Sequence, residues 1–298
     1  MTKTVILGLG AQKAGTTWVY QYLLRHPECA MGQDKELSRL VEHFQKEDTK
    51  AWKLKRLEAL EDVCKKTRWR IDNDKATSGE MQQLLERVEA FCAAFDTDHY
   101  LNFFDRRFAA HPNAKVSGDL TPENCLLGTE DLAQIKSMLK AKGYRAKVLF
   151  IMRDPVERCY SAMRMGHRRA LKAGKEIWDP SHTHFTATAT GDWCQIRTRY
   201  QDIIPRIDAV FAPEDQHIAF YESLFSEEGV KLLCEFLDIT YIPTELEKRV
   251  NSSPRDSEPS ADAWNATRLA YKDTYDFCAQ RYGAELISDL WGYRSAQD

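Results

Sequence analysis

Residues Val5–Leu24, V-I-L-G-L-G-A-Q-K-A-G-T-T-W-V-Y-Q-Y-L-L, decide the fold. Val5, Ile6 and Leu7 form a short apolar run that predicts a buried strand. Gly8, Gly10 and Gly15 then punctuate a stretch without proline. From Thr16 the pattern turns helical, with Val19, Tyr22 and Leu23 on one face, and it stops at Arg25-His26-Pro27. Strand, glycine-rich turn and helix together predict a phosphate-binding loop. Backbone N–H groups there curl round an anion, and the helix N-terminus adds partial positive charge.

The frame Gly10-x-x-x-x-Gly15 is that of a Walker A box, but the lettering departs from it. Thr16 and Thr17 follow the second glycine where lysine and Ser/Thr are expected, and the loop's lysine is Lys13. An NTPase needs its lysine on the β/γ-phosphates and a hydroxyl on magnesium. A lysine in mid-loop is placed instead for the outer end of a shorter, diphosphate-like anion.

The second informative stretch is Ala146–Arg169, A-K-V-L-F-I-M-R-D-P-V-E-R-C-Y-S-A-M-R-M-G-H-R-R. Val148–Met152 reads as a central buried strand. Arg153 sits at its carboxyl end, Asp154 suits an N-cap and Pro155 the first helical position. Ser161 falls about two turns into that helix. Arg153 and Ser161 thus offer a planar fork of donors and a hydroxyl to one anion. A Walker B strand would end in an acid for magnesium, and here it ends in arginine.

These two stretches resemble the sulfotransferases that use 3′-phosphoadenosine 5′-phosphosulfate (PAPS). Q-K-A-G-T-T-W looks like their 5′-phosphosulfate loop, and Arg153…Ser161 looks like their 3′-phosphate motif. His26-Pro27, Lys35-Glu36 and Gly118-Asp119-x-Thr121-Pro122 are closer to the glycan (heparan-sulfate-type) and bacterial branch than to the phenol and steroid enzymes. The likeness spans roughly residues 1–40 and 110–240. Leu37-Ser38-Arg39-Leu40 replaces the aromatic pair usual after Lys-Glu, and Leu120 stands where several glycan enzymes carry lysine.

The resemblance implies an α/β three-layer P-loop fold with a central, mostly parallel sheet and a helical insertion. It implies sulfuryl transfer from PAPS to an acceptor hydroxyl, or an amine, with PAP as product and no metal. Lys13, Ala14, Gly15, Thr16, Thr17, Trp18, Arg153 and Ser161 are the expected donor-binding residues. Lys13 also belongs to the expected catalytic set with Glu36 and Asp119. Glu36 is the first choice of base. Asp119 is the second, and its other expected uses are to orient the acceptor or hold a loop. His26, at the far end of the first helix, lies roughly 15 Å from the loop at 1.5 Å per residue and is set aside. The loop that would cover the nucleotide is sought at Asn251–Arg255.

The rest of the chain frames these motifs. The 298 residues are read as one domain, residues 1–298, and the acceptor as a small molecule or a glycan. A net charge of −3 speaks against a charge-driven nucleic-acid binder. No run is long enough to span a membrane, and the apolar start is too short for a signal peptide. Eight cysteines without a C-x-x-C pair read as the reduced thiols of a cytoplasmic protein.

Residues 41–110 are expected to be a helical insertion shaping the acceptor cleft. Helices are predicted over Ala51–Lys66, Met81–Phe95 and Tyr100–Phe108. Lys50–Arg70 carries eight basic and three acidic residues, which reads as a solvated face or as a cap that greets an acidic acceptor. Val116 is expected to end a strand, and a helix to run from about Glu130 to Lys142. Residues 183–191 are expected as loop, Trp193–Asp208 as helix, His217–Phe220 as strand and Ala263–Tyr282 as helix. Two other functions share parts of this pattern: a P-loop kinase, and a non-catalytic module for anionic glycans.

Overall fold

The computed structural model describes residues 2–45, 50–174, 184–244 and 258–292. Its centre is a four-stranded, wholly parallel sheet in the order β2-β1-β3-β4. The strands are β1 (Thr4–Gly8), β2 (Val116–Asp119), β3 (Arg145–Met152) and β4 (Gln216–Phe220). Thr4 pairs with Val116 on one side and with Arg145 on the other, and Val148 pairs with Gln216. Every residue of β1 and β2 is buried, and every residue of β3 after Arg145. Successive strand residues point to opposite faces, so burial without alternation means that both faces are covered. The fold is therefore a mostly helical α/β architecture, layered as expected. The predicted strand at Val116 begins there and runs to Asp119.

Parallel register puts all four carboxyl ends on one edge. Gly8, Asp119, Met152 and Phe220 close their strands there, and the site residues follow them. Helix α1 (Thr16–Arg25) leaves from the loop after β1. Its end is secured by His26, whose Nε2 lies 2.7 Å from the Thr240 carbonyl and whose Nδ1 accepts the Glu28 N–H. The chain then runs beside β2, with a parallel bridge between Cys29 and Val116.

The insertion between α1 and β2 holds α2 (Arg39–Gln45), α3 (Lys50–Asp72), α4 (Ser78–Phe95) and α5 (Thr97–Ala110). Helix α5 anchors it by burying Tyr100, Phe103, Phe104 and Phe108. Buried Arg107 ties α5 to α4 through Glu86 and Glu89. A capping box between Thr77 and Glu80 starts α4, and Arg70 of α3 reaches that Glu80 at 2.9 Å. Helix α3 is largely solvated, as one of the two readings of its charge has it. Leu54, Leu57, Trp69 and Ile71 are exposed while Thr67 is buried, because α3 packs on α4 rather than on the sheet.

Helix α6 (Thr129–Ala141) leads to β3, with Gly143 at a positive φ of 83° in the turn. Helix α7 (Pro155–Lys172) follows β3. Three expectations for the second half are corrected. The Thr/Ala-rich stretch expected as loop forms α8 (His184–Ala189), because Phe185 and Ala189 are buried and Phe185 stacks on Trp264 at 6.1 Å. The helix expected over Trp193–Asp208 is two, α9 (Asp192–Gln195) and α10 (Tyr200–Val210), broken where the buried Thr198 hydroxyl returns to the Cys194 carbonyl. After β4 come α11 (Tyr221–Leu224) and α12 (Glu227–Leu237). The last predicted helix is likewise divided, into α13 (Ala261–Ala270) and α14 (Lys272–Tyr282), meeting at Tyr271; α15 (Ala284–Trp291) closes the fold. At that junction the Tyr271 hydroxyl is committed to the Ala189 carbonyl at 2.5 Å. Among the described residues no helix is long and apolar enough to cross a membrane, and all eight cysteines are free thiols.

Candidate anion-transfer site at the carboxyl edge of the sheet

The loop Leu9–Gly15 is built onto the end of β3. Leu9 N–H donates to the Leu149 carbonyl, Ala11 N–H to that of Ile151, and Ile151 N–H to that of Gly10, each at 2.8 Å. The loop then turns through three positive φ values: Gly10 at 104°, Lys13 at 72° and Gly15 at 85°. Lysine has a Cβ and adopts that region at a cost of order 1 kcal/mol or more. Gly15 has no room for one, since a Cβ there would lie 2.5 Å from Cζ of Phe225. Gly15 is also the N-cap of α1 and supplies no side-chain hydrogen bond. The first-turn amides of Thr16 and Thr17 are left for an external acceptor, at the positive end of the helix dipole. Thr16 and Trp18 are buried, and Trp18 stacks on Tyr22 at 5.8 Å and meets Phe225 edge-on at 5.2 Å.

Arg153 joins the second strand end to this loop. Its Nη1 donates to the Lys13 carbonyl at 3.1 Å, and its Nη2 pairs with Glu157 at 2.8 Å. The guanidinium lies 4.5 Å from the Tyr221 ring centroid, and the Arg153 carbonyl accepts the Tyr200 hydroxyl at 2.7 Å. Asp154 is the predicted N-cap of α7: Oδ1 accepts the Glu157 N–H at 2.8 Å and Oδ2 the Tyr275 hydroxyl at 2.7 Å. Burial raises its carboxyl above the usual range, in keeping with a buried cap. Ser161 is buried on α7, on the face it shares with Glu157 at helical spacing.

Lys13 is an ammonium under pressure. Burial first, then the charges of Arg168, Arg153, Arg164 and Arg169, lower its pKa from 10.5 to about 8. Its Nζ lies 3.9 Å from Sδ of Met165, on the third turn of α7. A cation crowded by cations is the electrostatic signature of a site prepared for a multiply charged anion.

The third strand end holds the Lys35–Ser38 segment. Asp119 is fully buried: its Oδ1 accepts the Leu37 N–H at 3.1 Å and the Thr121 hydroxyl at 2.5 Å, and Oδ2 the Tyr100 hydroxyl at 3.4 Å. Ser38 N–H donates to Thr121 Oγ1, and Leu120 N–H to the Lys35 carbonyl. Glu36, held by this frame, has a half-exposed carboxylate 2.7 Å from the Lys35 ammonium. Beside it is Glu123, whose carboxyl is raised by burial and then by the charge of Glu36, and which Gln12 of the loop reaches at 3.3 Å.

Sequence reasoning missed Glu123, Gln12, Tyr221 and Phe225. Tyr221 had a usable signal, since it directly follows a strand that ends on the ligand edge. Glu123 had only its place after Thr121-Pro122, and its burial follows from the 3-10 turn at Pro122–Leu126. The covering segment sought at Asn251–Arg255 lies outside the described residues.

A family model described as "Sulfotransferase family" matches residues 6–243 of this chain. No curated protein matches it. Among solved structures, the sulfotransferase from Alicyclobacillus acidocaldarius is similar with a TM-score of 0.52 and 16% sequence identity, covering 100% of this chain and 98% of that one. The sulfotransferase domain from the curacin biosynthetic pathway aligns over 81% of this chain and 76% of its own, at 13% identity and a TM-score of 0.46.

Proposed function

From the premise that this chain belongs to the sulfotransferase family, we propose that it transfers the sulfuryl group of PAPS to the hydroxyl of an acceptor. The observation that carries this reading is the joining of Lys13 to Arg153, a mid-loop lysine whose own carbonyl is held by the arginine at the next strand end. One cation then serves each end of a nucleotide that is phosphorylated at both its 3′ and 5′ positions. A kinase would need the acid that this strand end lacks.

In this reading the amides of Ala14, Gly15, Thr16 and Thr17 and the Lys13 ammonium surround the 5′-phosphosulfate, with Trp18 at the nucleotide. Arg153 and Ser161 take the 3′-phosphate. The acceptor oxygen attacks sulfur in line as the bond from sulfur to the 5′-phosphate oxygen breaks. PAP leaves with the electron pair, and Lys13 offsets the charge that grows on the bridging oxygen. Glu36 receives the acceptor's proton. Asp119, whose oxygens are engaged by Leu37, Thr121 and Tyr100, holds the Glu36 segment in place. The test is twofold: calorimetry with PAP and with ATP-magnesium, and an acceptor screen with labelled PAPS. Tight PAP binding with label transfer is the expected result; ATP binding in preference to PAP would overturn the proposal.

A further inference from the structure

Eight of the fourteen large apolar side chains exposed among the described residues lie on α3 and α4, so the insertion carries most of the solvated apolar surface. On α3, Leu54, Leu57, Glu61, Cys64, Arg68 and Ile71 recur at steps of three and four. On α4, Met81, Leu85, Val88 and Cys92 do the same. Such spacing is the seam by which one helix packs on another. Here both seams look outward: Cys92 is half-buried and the others are exposed. The helices of the insertion pack through other rows. Glu86 and Glu89 of α4 hold Arg106 and Arg107 of α5, and the half-buried Leu84 and Phe91 lie on the opposite side of α4, toward α3. The row of α3 toward α4 is Leu60, Val63 and the buried Thr67. Each seam lies one residue C-terminal to its row. In antiparallel helices, equal steps of one sense lead to the same side, so the two seams form one face.

That face is complementary to a copy of itself. The α3 seam is symmetric about a midpoint between Glu61 and Cys64, and the α4 seam about one between Leu85 and Val88. Arg70 of α3 meets Glu80 of α4 at 2.9 Å. Counted from that pair, the two midpoints stand level to within about one residue, roughly 1.5 Å. A single two-fold axis therefore serves both seams. Rotation about it sets α3 antiparallel to its copy, so that Leu54 meets the partner's Ile71. Glu61 meets the partner's Cys64, one turn from the partner's Arg68. The acid and the base of the seam thereby pair with the base and the acid of the copy. In the single chain these two side chains have exposed neighbours on α3 itself, Lys65 at 3.8 Å from Glu61 and Asp72 at 3.3 Å from Arg68. Over the 18 residues of α4 the face is about 27 Å long and, with two helices side by side, about 20 Å wide. With its flanking charged side chains it is on the scale of the roughly 800 Å² per partner that a stable pair buries. An anionic lipid surface would instead press Glu61 against like charge.

We infer that the α3–α4 face is a homodimer interface. A second copy of this chain lies on it about a two-fold axis, α3 against α3 and α4 against α4, each pair antiparallel. The contact is isologous, so it closes at two copies. The four helices make a bundle whose core is formed by the seams that the single chain leaves in water.

The test is sedimentation velocity on the full chain, from about 1 to about 50 µM, because a dimer follows mass action. The expected species has twice the 34.4 kDa of the single chain. Leu85→Lys puts a charge into the interface twice and should raise the dimer dissociation constant about 10-fold or more. Its far-UV circular dichroism should be unchanged, since Leu85 is solvated in the single chain. Glu61→Arg and Arg68→Glu should each weaken the dimer about 5-fold or more, and the double variant should return it to within about 3-fold of the unaltered chain. In the unaltered dimer the two Cys64 thiols stand about 4.5 Å apart along the helix axis. Bismaleimidoethane should therefore join the two copies, and Cys64→Ser should abolish the link. A chain that stays at 34.4 kDa throughout would overturn the inference. So would a dimer that Leu85→Lys leaves intact, or charge reversals that the double variant does not restore. A monomer that floats with phosphatidylglycerol vesicles would overturn it in favour of a lipid surface.

Discussion

Nη1 of Arg153 donates to the main-chain carbonyl of Lys13 at 3.1 Å, although the two residues lie on different strand ends. The bond runs from the guanidinium expected on one phosphate to the backbone of the residue expected on the other. It holds Lys13 at a φ of 72°, where an L-residue does not rest unaided. Arg153 is therefore expected to act twice, as a ligand and as a clamp on the loop.

The two roles separate in binding experiments. Ser161→Ala removes a hydroxyl and no clamp, so it should weaken PAP by about 1 kcal/mol and leave adenosine 5′-phosphosulfate unchanged. Arg153→Ala should weaken PAP by about 2–4 kcal/mol and the 5′-phosphosulfate by a smaller but measurable amount, because the loop is released. Calorimetry with both ligands checks this. Equal losses for the two ligands in Ser161→Ala would remove the 3′-phosphate assignment.

Lys13 is expected to trade stability for activity. Its pKa of about 8 in the folded chain lies below the ordinary 10.5. Between those values the unfolded chain binds more protons, so stability rises with pH there; below about 8 the full penalty is present. Lys13→Met should thus stabilise the protein at pH 7 by about 1–2 kcal/mol, after allowance for solvent screening, and raise Tm by about 2–4 °C. Near pH 10.5 the gain should vanish. The same variant should lose about 100-fold or more in kcat. Thermal melts across pH, with turnover of labelled PAPS, test both halves; a Tm that falls at pH 7 would contradict the first.

The same titration predicts how the unaltered protein depends on pH. The ammonium is lost as pH rises through about 8, so PAP association with the free protein should weaken above that value. Titrations at pH 7 and pH 9 should show the difference in the unaltered protein and only a small one in Lys13→Met. An affinity that grows with pH would exclude Lys13 from the anion.

Glu36 and Asp119 are expected to fail in different ways. Glu36→Gln keeps shape and loses basicity, so kcat should fall by about 10²–10⁴ with PAP affinity and Tm nearly unchanged. Asp119→Ala leaves the Leu37 N–H, the Thr121 hydroxyl and the Tyr100 hydroxyl without their acceptor, and should cost about 2–4 kcal/mol of stability. Melting curves and kcat together discriminate the two. Normal turnover in Glu36→Gln would move the base elsewhere.

The sequence carried the frame of the site because that frame is local. A strand, a glycine turn and a helix lie within Val5–Leu24, and strand, Arg153, cap and helix within Ala146–Arg169; both stretches fold as read. Asp154 as N-cap needed only Pro155 after it and Glu157 within reach. What escaped depends on contacts between distant segments. The hold of Asp119 on Leu37 crosses 82 positions, and that of Gln12 on Glu123 crosses 111. The helix over Ala51–Lys66 was legible, but a helical pattern does not say whether a helix lies against the sheet or on another helix. Segments such as 183–191 were misread because short Thr/Ala helices are decided by packing, here Phe185 against Trp264.

The order β2-β1-β3-β4 also governs how the chain reaches its folded state. β1 precedes both of its partners in sequence, and it is an interior strand whose two neighbours start at Val116 and Arg145. Between β1 and β2 the whole helical insertion must be spanned, so each pairing closes a long loop before any sheet bond rewards it. During synthesis the apolar Val5–Leu7 segment has to wait, unpaired on both edges until β2 has been made and on its other edge until β3 follows. The helices of the insertion are stabilised by nearer contacts and are free to form first. Slow refolding, with loss to aggregation while β1 lacks partners, is the kinetic consequence of hanging the phosphate loop on a strand whose two partners lie more distantly along the chain.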